Sequence, residues 1–241
     1  MKVKNKLLNL DAVIYQDDDW FKFSLDSVLL ADFVTINLRT KKIIDLACGN
    51  APIPMLLSYR TNAFICGVEY QDCVFQLGVD SILSNCMEKQ IKLIRGDVAD
   101  ILSIFDSDSF DVVTCNPPYF KANNPDYFNQ NQVKTIARHE VYLDLDIVLS
   151  RAFYLLKTGG IFAMVHRTER FCEIIEKMKK YHLEPKRVRF IYPKKGKNSD
   201  LFLIEGVKNG KSGLKMHFPL IVHNDDNTYT EEILKILEFK F

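Results

Sequence analysis

The sequence predicts an α/β protein of the doubly wound type, built on a mostly parallel, seven-stranded sheet. Five short apolar runs fit strands that are buried on both faces, and helical patterns separate them. Two further strands follow one another near the end of the chain with no helix between them, so we expect an antiparallel hairpin there. With 241 residues, of which 47% are hydrophobic, residues 1–241 suit a single domain of this class.

Residues 1–40 precede the first strand, and we expect a short segment of helix and loop. Its apolar spacing predicts a helix that begins after Ser24, on Leu25, Val28, Leu29 and Ile36. The five apolar runs predict parallel strands at residues 43–47, 63–68, 91–94, 110–115 and 161–165. The C-terminal hairpin is predicted at 188–192 and 201–207, around the polar loop 193–200.

Helices are expected between these strands. One begins at Pro52, and apolar spacings of three and four residues predict others over 75–86, 145–156 and 171–178. Gly159-Gly160 is expected to end the second of these, and Thr168 is expected to cap the start of the third.

Composition excludes several classes of protein. The six cysteines form no C-x-x-C pair and no zinc-like pattern with the five histidines, so we expect a reduced protein without a metal. No apolar run approaches the ~18 residues that a membrane span needs. We therefore expect a cytoplasmic protein that does not contact a membrane, and a monomer.

Charge is balanced overall, with a formal net charge of +1, but it is uneven along the chain. Between Lys177 and Lys215 there are twelve Lys or Arg residues and three acidic ones. Such a stretch is typical of a phosphate-binding surface. The alternative is an ordinary solvated surface that is rich in lysine.

Two groups of residues predict a nucleoside ligand. Asp45-Leu46-Ala47-Cys48-Gly49-Asn50-Ala51 follows the first strand and precedes a helix, where a tight turn lets backbone approach a ligand. Glu69 ends the second strand, where a carboxylate is placed to accept hydrogen bonds from ribose hydroxyls. After the third strand, Gly96-Asp97 adds a carboxylate that suits an adenine amino group, although a simple turn explains the same pair.

The sharpest motif is Asn116-Pro117-Pro118-Tyr119, directly after the fourth strand. Two prolines cannot continue a central strand, so the chain leaves the sheet in a rigid turn. That turn offers the Asn116 amide and the Pro117 carbonyl as fixed acceptors beside an aromatic ring. This set suits a planar –NH₂ group, such as a nucleobase edge or a carboxamide.

Together these motifs resemble the class I S-adenosylmethionine-dependent methyltransferases, in the branch that methylates amino groups and carries Asn-Pro-Pro-Tyr. Phe23-Ser24-Leu25-Asp26, Ala137-Arg138-His139-Glu140 and the ending from Leu203 onward are similar to the bacterial tRNA (adenine-37 N6)-methyltransferases. The resemblance extends from about Gln16 to Asn227. It departs from the family in the first motif, usually Asp-x-Gly-x-Gly-x-Gly, because Ala47 and Ala51 replace the outer glycines.

The resemblance implies a Rossmann-like fold, S-adenosylmethionine as cofactor and tRNA as partner. It implies that the cofactor contacts Gln16, Phe23, Ser24, Asp45, Ala47, Gly49, Asn50, Ala51, Glu69, Tyr70, Gly96, Asp97, Val98 and Asn116. The catalytic residues would be Asn116, Pro117, Pro118 and Tyr119. We expect tRNA contacts from Arg138, His139, Lys194, Lys195 and Lys197.

The expected reaction is methyl transfer to the exocyclic N6 of an adenine in tRNA, at position 37 beside the anticodon. Two alternatives stay open. A protein glutamine presents the same –NH₂ geometry, which would make this a glutamine-amide methyltransferase. A cofactor- and RNA-binding module without catalysis is the other, and the alanines of the first motif would be its symptom.

Overall fold

The computed structural model describes residues 2–17, 24–117 and 144–239. Their strands are β1 (Lys2–Lys6), β2 (Val13–Asp17), β3 (Lys42–Leu46), β4 (Phe64–Glu69), β5 (Ile91–Arg95), β6 (Phe110–Cys115), β7 (Leu156–Arg167), β8 (Leu183–Lys194), β9 (Leu201–Lys208), β10 (Lys215–Met216) and β11 (Leu220–His223). The α-helices are α1 (Leu25–Phe33), α2 (Pro52–Ser58), α3 (Asp72–Ser84), α4 (Leu145–Leu155), α5 (Phe171–Lys180) and α6 (Glu231–Glu238). Two 3₁₀ turns occupy Val98–Ser103 and Thr168–Arg170.

The main sheet confirms the predicted doubly wound class. Its order is β10-β8-β9-β7-β6-β3-β4-β5, and β11 also pairs with β8. The neighbouring strands β5, β4, β3, β6 and β7 pair in parallel, in that spatial order. Strand β9 pairs antiparallel with both β7 and β8. The seven expected strands are therefore present, with the expected hairpin. The short strands β10 and β11 extend the edge beyond the prediction and run parallel to β8.

The parallel strands are mostly apolar because helices cover both faces of the sheet. Successive residues of one strand enter different clusters. Ile43 packs with residues of α1 and α2, and Ile44 packs with residues of α4 and α5. This alternation explains why the sequence shows continuous apolar runs. Among the described residues, no helix is long and apolar enough to cross a membrane.

The N-terminal segment differs from the helix and loop that we expected for residues 1–40. Helix α1 is present and Ser24 is its N-cap, but β1 and β2 form an antiparallel hairpin before it. Asn85 on the loop after α3 holds β2, accepting from Val13 N at 2.8 Å and donating to Val13 O at 2.7 Å. Apolar burial along this hairpin is interrupted by polar residues, which is why the pattern did not predict it.

Two predicted helix boundaries are wrong. Helix α4 ends at Leu155, and Gly159 and Gly160 lie inside β7, at an irregularity in its pairing with β6. A Cβ on residue 160 would lie 2.8 Å from the carbonyl oxygen of Lys157, which is too close. The irregular backbone at this point of β7 therefore favours glycine. Thr168 begins a 3₁₀ turn, and α5 starts after Arg170.

A buried ion pair anchors α1 to the far part of the sheet. Glu205 on β9 is 4% exposed and receives the Arg187 side chain at 3.0 and 3.1 Å. The same carboxylate accepts from Thr35 N at 2.8 Å, just after α1, and Arg187 also donates to the carbonyl of Phe33. Because a buried carboxylate needs such partners, the network fixes the position of α1 over the sheet.

Candidate cofactor and substrate site

The predicted motifs meet at one edge of the sheet. Strands β5, β4, β3 and β6 are neighbours and parallel, so their carboxyl ends lie side by side. The loop after β3, Glu69 at the end of β4, Gly96 after β5 and Asn116 after β6 therefore share this edge. In open α/β sheets the crevice outside the carboxyl ends is the usual place for a ligand.

The loop after β3 keeps a glycine-like backbone although it contains alanines. Ala47, Gly49 and Ala51 all have positive φ, at 54°, 59° and 67°. For a residue with a Cβ this left-handed conformation costs roughly 1–2 kcal/mol. A side chain built on Gly49 would meet nothing within 4 Å, so open space lies over the loop at that residue.

Glu69 links this loop to the end of β4. It is 6% exposed, and its two carboxylate oxygens accept from Gly49 N at 2.9 Å and Gln71 N at 2.8 Å. Burial raises the pKa of this carboxyl, while the backbone N–H donors act in the opposite direction. A carboxylate has about four acceptor sites and three backbone N–H groups act on this one, from Gly49, Tyr70 and Gln71, so Glu69 can still accept from a ligand hydroxyl.

Asp45 lies below the loop in a dry environment. It is 1% exposed, and its Oδ1 accepts from Thr114 Oγ1 at 2.6 Å, whereas its Oδ2 is buried and has no hydrogen-bond partner among the described residues. Burial raises the pKa of Asp45 from 3.8 to about 8; the Thr114 hydrogen bond lowers it and the nearby Glu69 carboxylate raises it further. A buried oxygen without a partner is suited to a polar or cationic ligand group.

The raised pKa of Asp45 makes folding stability depend on pH. The folded protein binds a proton that the unfolded chain releases near pH 3.8, so this contribution is complete at low pH. It is lost as the pH rises toward about 8, by up to about 1.4 kcal/mol per pH unit. We expect Asp45→Asn, which keeps an acceptor for Thr114, to be more stable than wild type at pH 8. Urea unfolding of both proteins from pH 5 to 9 checks this, and a constant difference across that range would contradict it.

The N-terminal hairpin reaches the same loop. Asn50 Nδ2 donates to Tyr15 O at 2.8 Å. On the neighbouring residue Gln16, Oε1 accepts from Asn5 at 2.9 Å, while Nε2 is buried without a partner. Ser24 Oγ is likewise buried without a partner. Residues predicted from the resemblance to bind the cofactor thus carry unpaired buried polar atoms.

The turn after β5 is held by backbone and capping hydrogen bonds. Gly96 N donates to Glu69 O at 3.0 Å, which ties this turn to β4. Asp97 caps the following 3₁₀ turn, since its Oδ1 accepts from Ala99 N at 2.8 Å. Val98 is buried and Tyr70 is 47% exposed. Asp97 thus has a structural task beside the binding role that we predicted.

The side chain of Asn116 is oriented by Ser27, which was not among the predicted site residues. Its Nδ2 donates to Ser27 Oγ of α1 at 3.1 Å. Ser27 and Pro117 are buried, and Asn116 is half-buried. Because Nδ2 donates to Ser27, Oδ1 is the acceptor atom of this amide. The predicted residues Phe23, Pro118, Tyr119, Arg138 and His139 lie outside the described residues.

His166, at the carboxyl end of β7, is fully buried. Its Nδ1 accepts from Arg167 N at 2.8 Å. Burial lowers the pKa of His166 to about 3, and the Arg170 charge contributes in the same direction. It is therefore neutral at physiological pH and too weak a base to collect a proton there.

The three predicted RNA-binding lysines lie at the same edge as Asn116. Lys194 ends β8, which runs in the direction of β7, and Lys195 and Lys197 follow in the loop to β9. The rest of the basic stretch is different. Carboxylates pair with five of its members: Asp146 with Lys177 and Lys180, Glu232 with Arg189, Asp108 with Lys208, and Glu205, which lies in the stretch itself, with Arg187. The stretch is therefore not one continuous cationic surface.

The strand order, the loop after β3 and the carboxylate at the end of β4 define a nucleoside-cofactor fold, and the comparison with known families agrees. A family model described as a methyltransferase domain matches residues 38–236, so the chain belongs to that family. A structure of a predicted O-methyltransferase from Agrobacterium tumefaciens has a TM-score of 0.72 at 19% identity, covering 89% of this chain and 96% of that one. Geranyl diphosphate C-methyltransferase from Streptomyces coelicolor, solved with S-adenosyl-L-homocysteine, has a TM-score of 0.58 at 12% identity, covering 76% and 77%. These likenesses show the fold.

The relatives found by sequence similarity carry a more specific name than the family model does. The chain is 22% identical to a protein of Flavobacterium psychrophilum over 92% of this chain and 93% of the relative. It is 25% identical to proteins of Haemophilus influenzae, over 92% of each chain, and of Bacteroides thetaiotaomicron, over 91% and 90%. All three carry the name tRNA1(Val) (adenine(37)-N6)-methyltransferase.

Proposed function

We propose that this protein transfers a methyl group from S-adenosylmethionine to N6 of an adenine in tRNA, at position 37. The relatives with that name span about nine-tenths of both chains. The observation that carries the proposal is Asn116, whose carboxamide is held by Ser27 at the carboxyl end of β6. A fixed acceptor beside a nucleoside-binding edge suits an exocyclic amino group. The tRNA substrate assigns the reaction to the cytoplasm.

The residues present fit this cofactor. Glu69 can accept from a ribose hydroxyl, and Asp97 with Val98 would contact the adenine. The unpaired buried atoms of Gln16 and Asp45 suit the polar end of the methionine moiety. When bound, S-adenosylmethionine supplies an electrophilic methyl group on a sulfonium. We propose a monomer as the working unit.

On the substrate side, the proposed task of the protein is alignment. The target adenine must leave its stack to enter the site. Asn116 Oδ1 and the Pro117 carbonyl would accept from its amino group, which holds the nitrogen lone pair toward the methyl group, and Tyr119 would stack on the ring. Methylation would leave one proton in excess on the amino group, which would pass to water. Orientation and fixed acceptors account for the rate without a general base.

One assay separates this function from the alternatives. Tritiated S-adenosylmethionine is incubated with tRNA that lacks the modification, and in parallel with ribosomal and release-factor proteins. We expect label in tRNA, as N6-methyladenosine at position 37. Label in protein glutamine would support the glutamine-amide alternative, and cofactor binding without any transfer would support the non-catalytic module.

The lysines at the site edge are expected to bind RNA phosphates. Changing Lys194, Lys195 and Lys197 to Glu should weaken tRNA binding and lower the slope of log affinity against log salt by ~0.7–0.9 for each lost contact. Cofactor affinity should stay the same. The matched control changes Lys179, Lys211 and Lys215 to Glu, the same charge away from this loop. Equal tRNA affinities for the two triple variants in a salt titration would contradict a specific role for this loop.

A further inference from the structure

A second cavity lies at the same edge of the sheet, outside the cofactor crevice. It measures about 470 Å³, within the range of roughly 300–1,000 Å³ that is usual for small-ligand sites. Two loops form it, the β8–β9 loop and the β11–α6 loop. Its lining residues are Pro193, Lys194, Lys197, Asn198, Asp200, His223 and Asn227. We call it the edge pocket.

Hydrogen bonds hold the walls of the edge pocket. In the β8–β9 loop, Ser199 Oγ lies 2.9 Å from both Ile191 O and Leu201 O, and its single hydroxyl proton can be donated to either carbonyl. In the β11–α6 loop, Asp226 accepts from Thr228 N at 2.9 Å and from Thr228 Oγ1 at 2.6 Å. Walls that are fixed in advance lower the entropy cost of binding a ligand.

The two loops are also tied to each other. Lys194 Nζ donates to Asp225 O at 3.0 Å, and His223 Nδ1 lies 3.3 Å from Pro193 O. The pocket therefore keeps its shape as one unit rather than depending on two independent loops.

The chemistry of the edge pocket suits a nucleobase better than a phosphate alone. The carboxamides of Asn198 and Asn227 make no hydrogen bond within the part of the chain that the structure describes, so both are available to a ligand. Carboxamides match the donor and acceptor pairs of base edges. His223 supplies an aromatic wall, and its ring is stacked on Tyr229 at 5.1 Å and 19°.

Charge in this region is mixed. The lysines of the β8–β9 loop face Asp200 in the pocket and the Asp225-Asp226 pair in the neighbouring turn. The carboxylates offset part of the ammonium charge, so phosphate attraction alone would not select this pocket. Hydrogen bonds from the two amides and stacking on the His223 ring do not need a net positive charge. A base can therefore bind where the charges are mixed.

The position of the edge pocket fits the same RNA as the active site. Three strand spacings, from β6 through β7 and β9 to β8, separate Asn116 from Lys194. At ~4.8 Å per spacing this is about 15 Å along the edge. Unpaired loop nucleotides on either side of a flipped adenine can cover such a distance, and unstacked loop bases are the usual targets of sequence-specific RNA recognition.

We propose that the edge pocket binds a second unpaired base of the substrate RNA loop, near the adenine that is methylated. This rests on the proposed function and deepens it, since it assigns part of the RNA specificity to Asn198 and Asn227. The lysines beside them hold the backbone, and the amides read the base.

The test removes the two amides without changing charge. Asn227 has φ of 69°, which glycine adopts freely, so Asn198→Ala with Asn227→Gly preserves the backbone. Binding of an unmodified anticodon stem-loop RNA is measured by fluorescence anisotropy over a range of salt. We expect about 10-fold weaker binding, an unchanged salt slope and unchanged cofactor affinity. The matched control is Asn209→Gly, a residue with φ of 55° at the opposite edge of the sheet, which should bind RNA like wild type.

A second arm identifies the base. Stem-loops with one abasic nucleotide at each loop position are compared on wild type and on the double variant. We expect one position at which wild type loses affinity and the double variant does not. The inference is overturned if the double variant binds every RNA like wild type while wild type methylates tRNA, or if its salt slope falls by ~0.7–0.9 per amide. Failure of wild type to bind any tRNA would overturn the proposed function as well.

Discussion

Asn116→Ala is expected to slow methyl transfer by about 100-fold or more, the size of losing one fixed transition-state partner. The Asn116 acceptor matters most as the adenine nitrogen gains positive charge during attack on the methyl group. The affinity for S-adenosylmethionine should change little, because in the proposed arrangement the Asn116 acceptor lies on the substrate side of the methyl group. The measurement is single-turnover methylation of unmodified tRNA at saturating cofactor.

Two comparisons make this result specific. Asn62→Ala is the same change at an exposed residue on another part of the surface and should leave the rate unchanged. Ser27→Ala keeps the Asn116 acceptor but removes the partner of its Nδ2, so we expect a smaller loss of rate. An Asn116→Ala enzyme within a few-fold of the wild-type rate would refute the proposed role of the amide.

Glu69→Ala is expected to raise the Kd for S-adenosylmethionine by one to two orders of magnitude, since hydrogen bonds to a charged group contribute roughly 1.5–3 kcal/mol. The structure adds a second reason, because the same carboxylate holds the N–H groups of Gly49 and Gln71. Glu69→Gln should be nearly as damaging, as its –NH₂ would face one of those donors. Calorimetry gives the affinities.

The control for Glu69 is Asp72→Ala. Asp72 is the next carboxylate along the chain and forms an exposed ion pair with Arg95 at 3.1 Å. Exposed pairs contribute little, so this variant should bind the cofactor like wild type. Unchanged affinity in Glu69→Ala would move the ribose site away from β4.

Much of the fold could be predicted because buried parallel strands leave a local record. Residues 43–47 and 110–115 are continuous apolar runs, and the structure has strands there. The N-terminal hairpin has no such apolar run, since Lys2, Lys4 and Lys6 of β1 are all exposed. The strand β10 has two exposed residues, and no apolar pattern can mark it.

The site also contains residues that the sequence could predict and residues that it could not. Residues that end strands, such as Glu69 and Asn116, could be identified from their place in the chain. The side chains that orient such residues could not, because Ser27 contacts Asn116 across 89 residues of sequence and Thr114 contacts Asp45 across 69. The basic stretch shows the same limit: the carboxylates that neutralise it, such as Asp146 and Asp108, come from elsewhere in the chain.

The two alanines of the first loop change how a missing glycine should be interpreted in a genome. Ala47 and Ala51 hold the left-handed backbone that glycine would, so the shape of the loop is preserved. Their strain is present with or without a ligand as long as the loop keeps this shape, and it therefore cancels from the binding equilibrium. Its cost is paid in folding stability instead. A search that discards sequences lacking the glycine signature would thus discard proteins whose cofactor loop is intact.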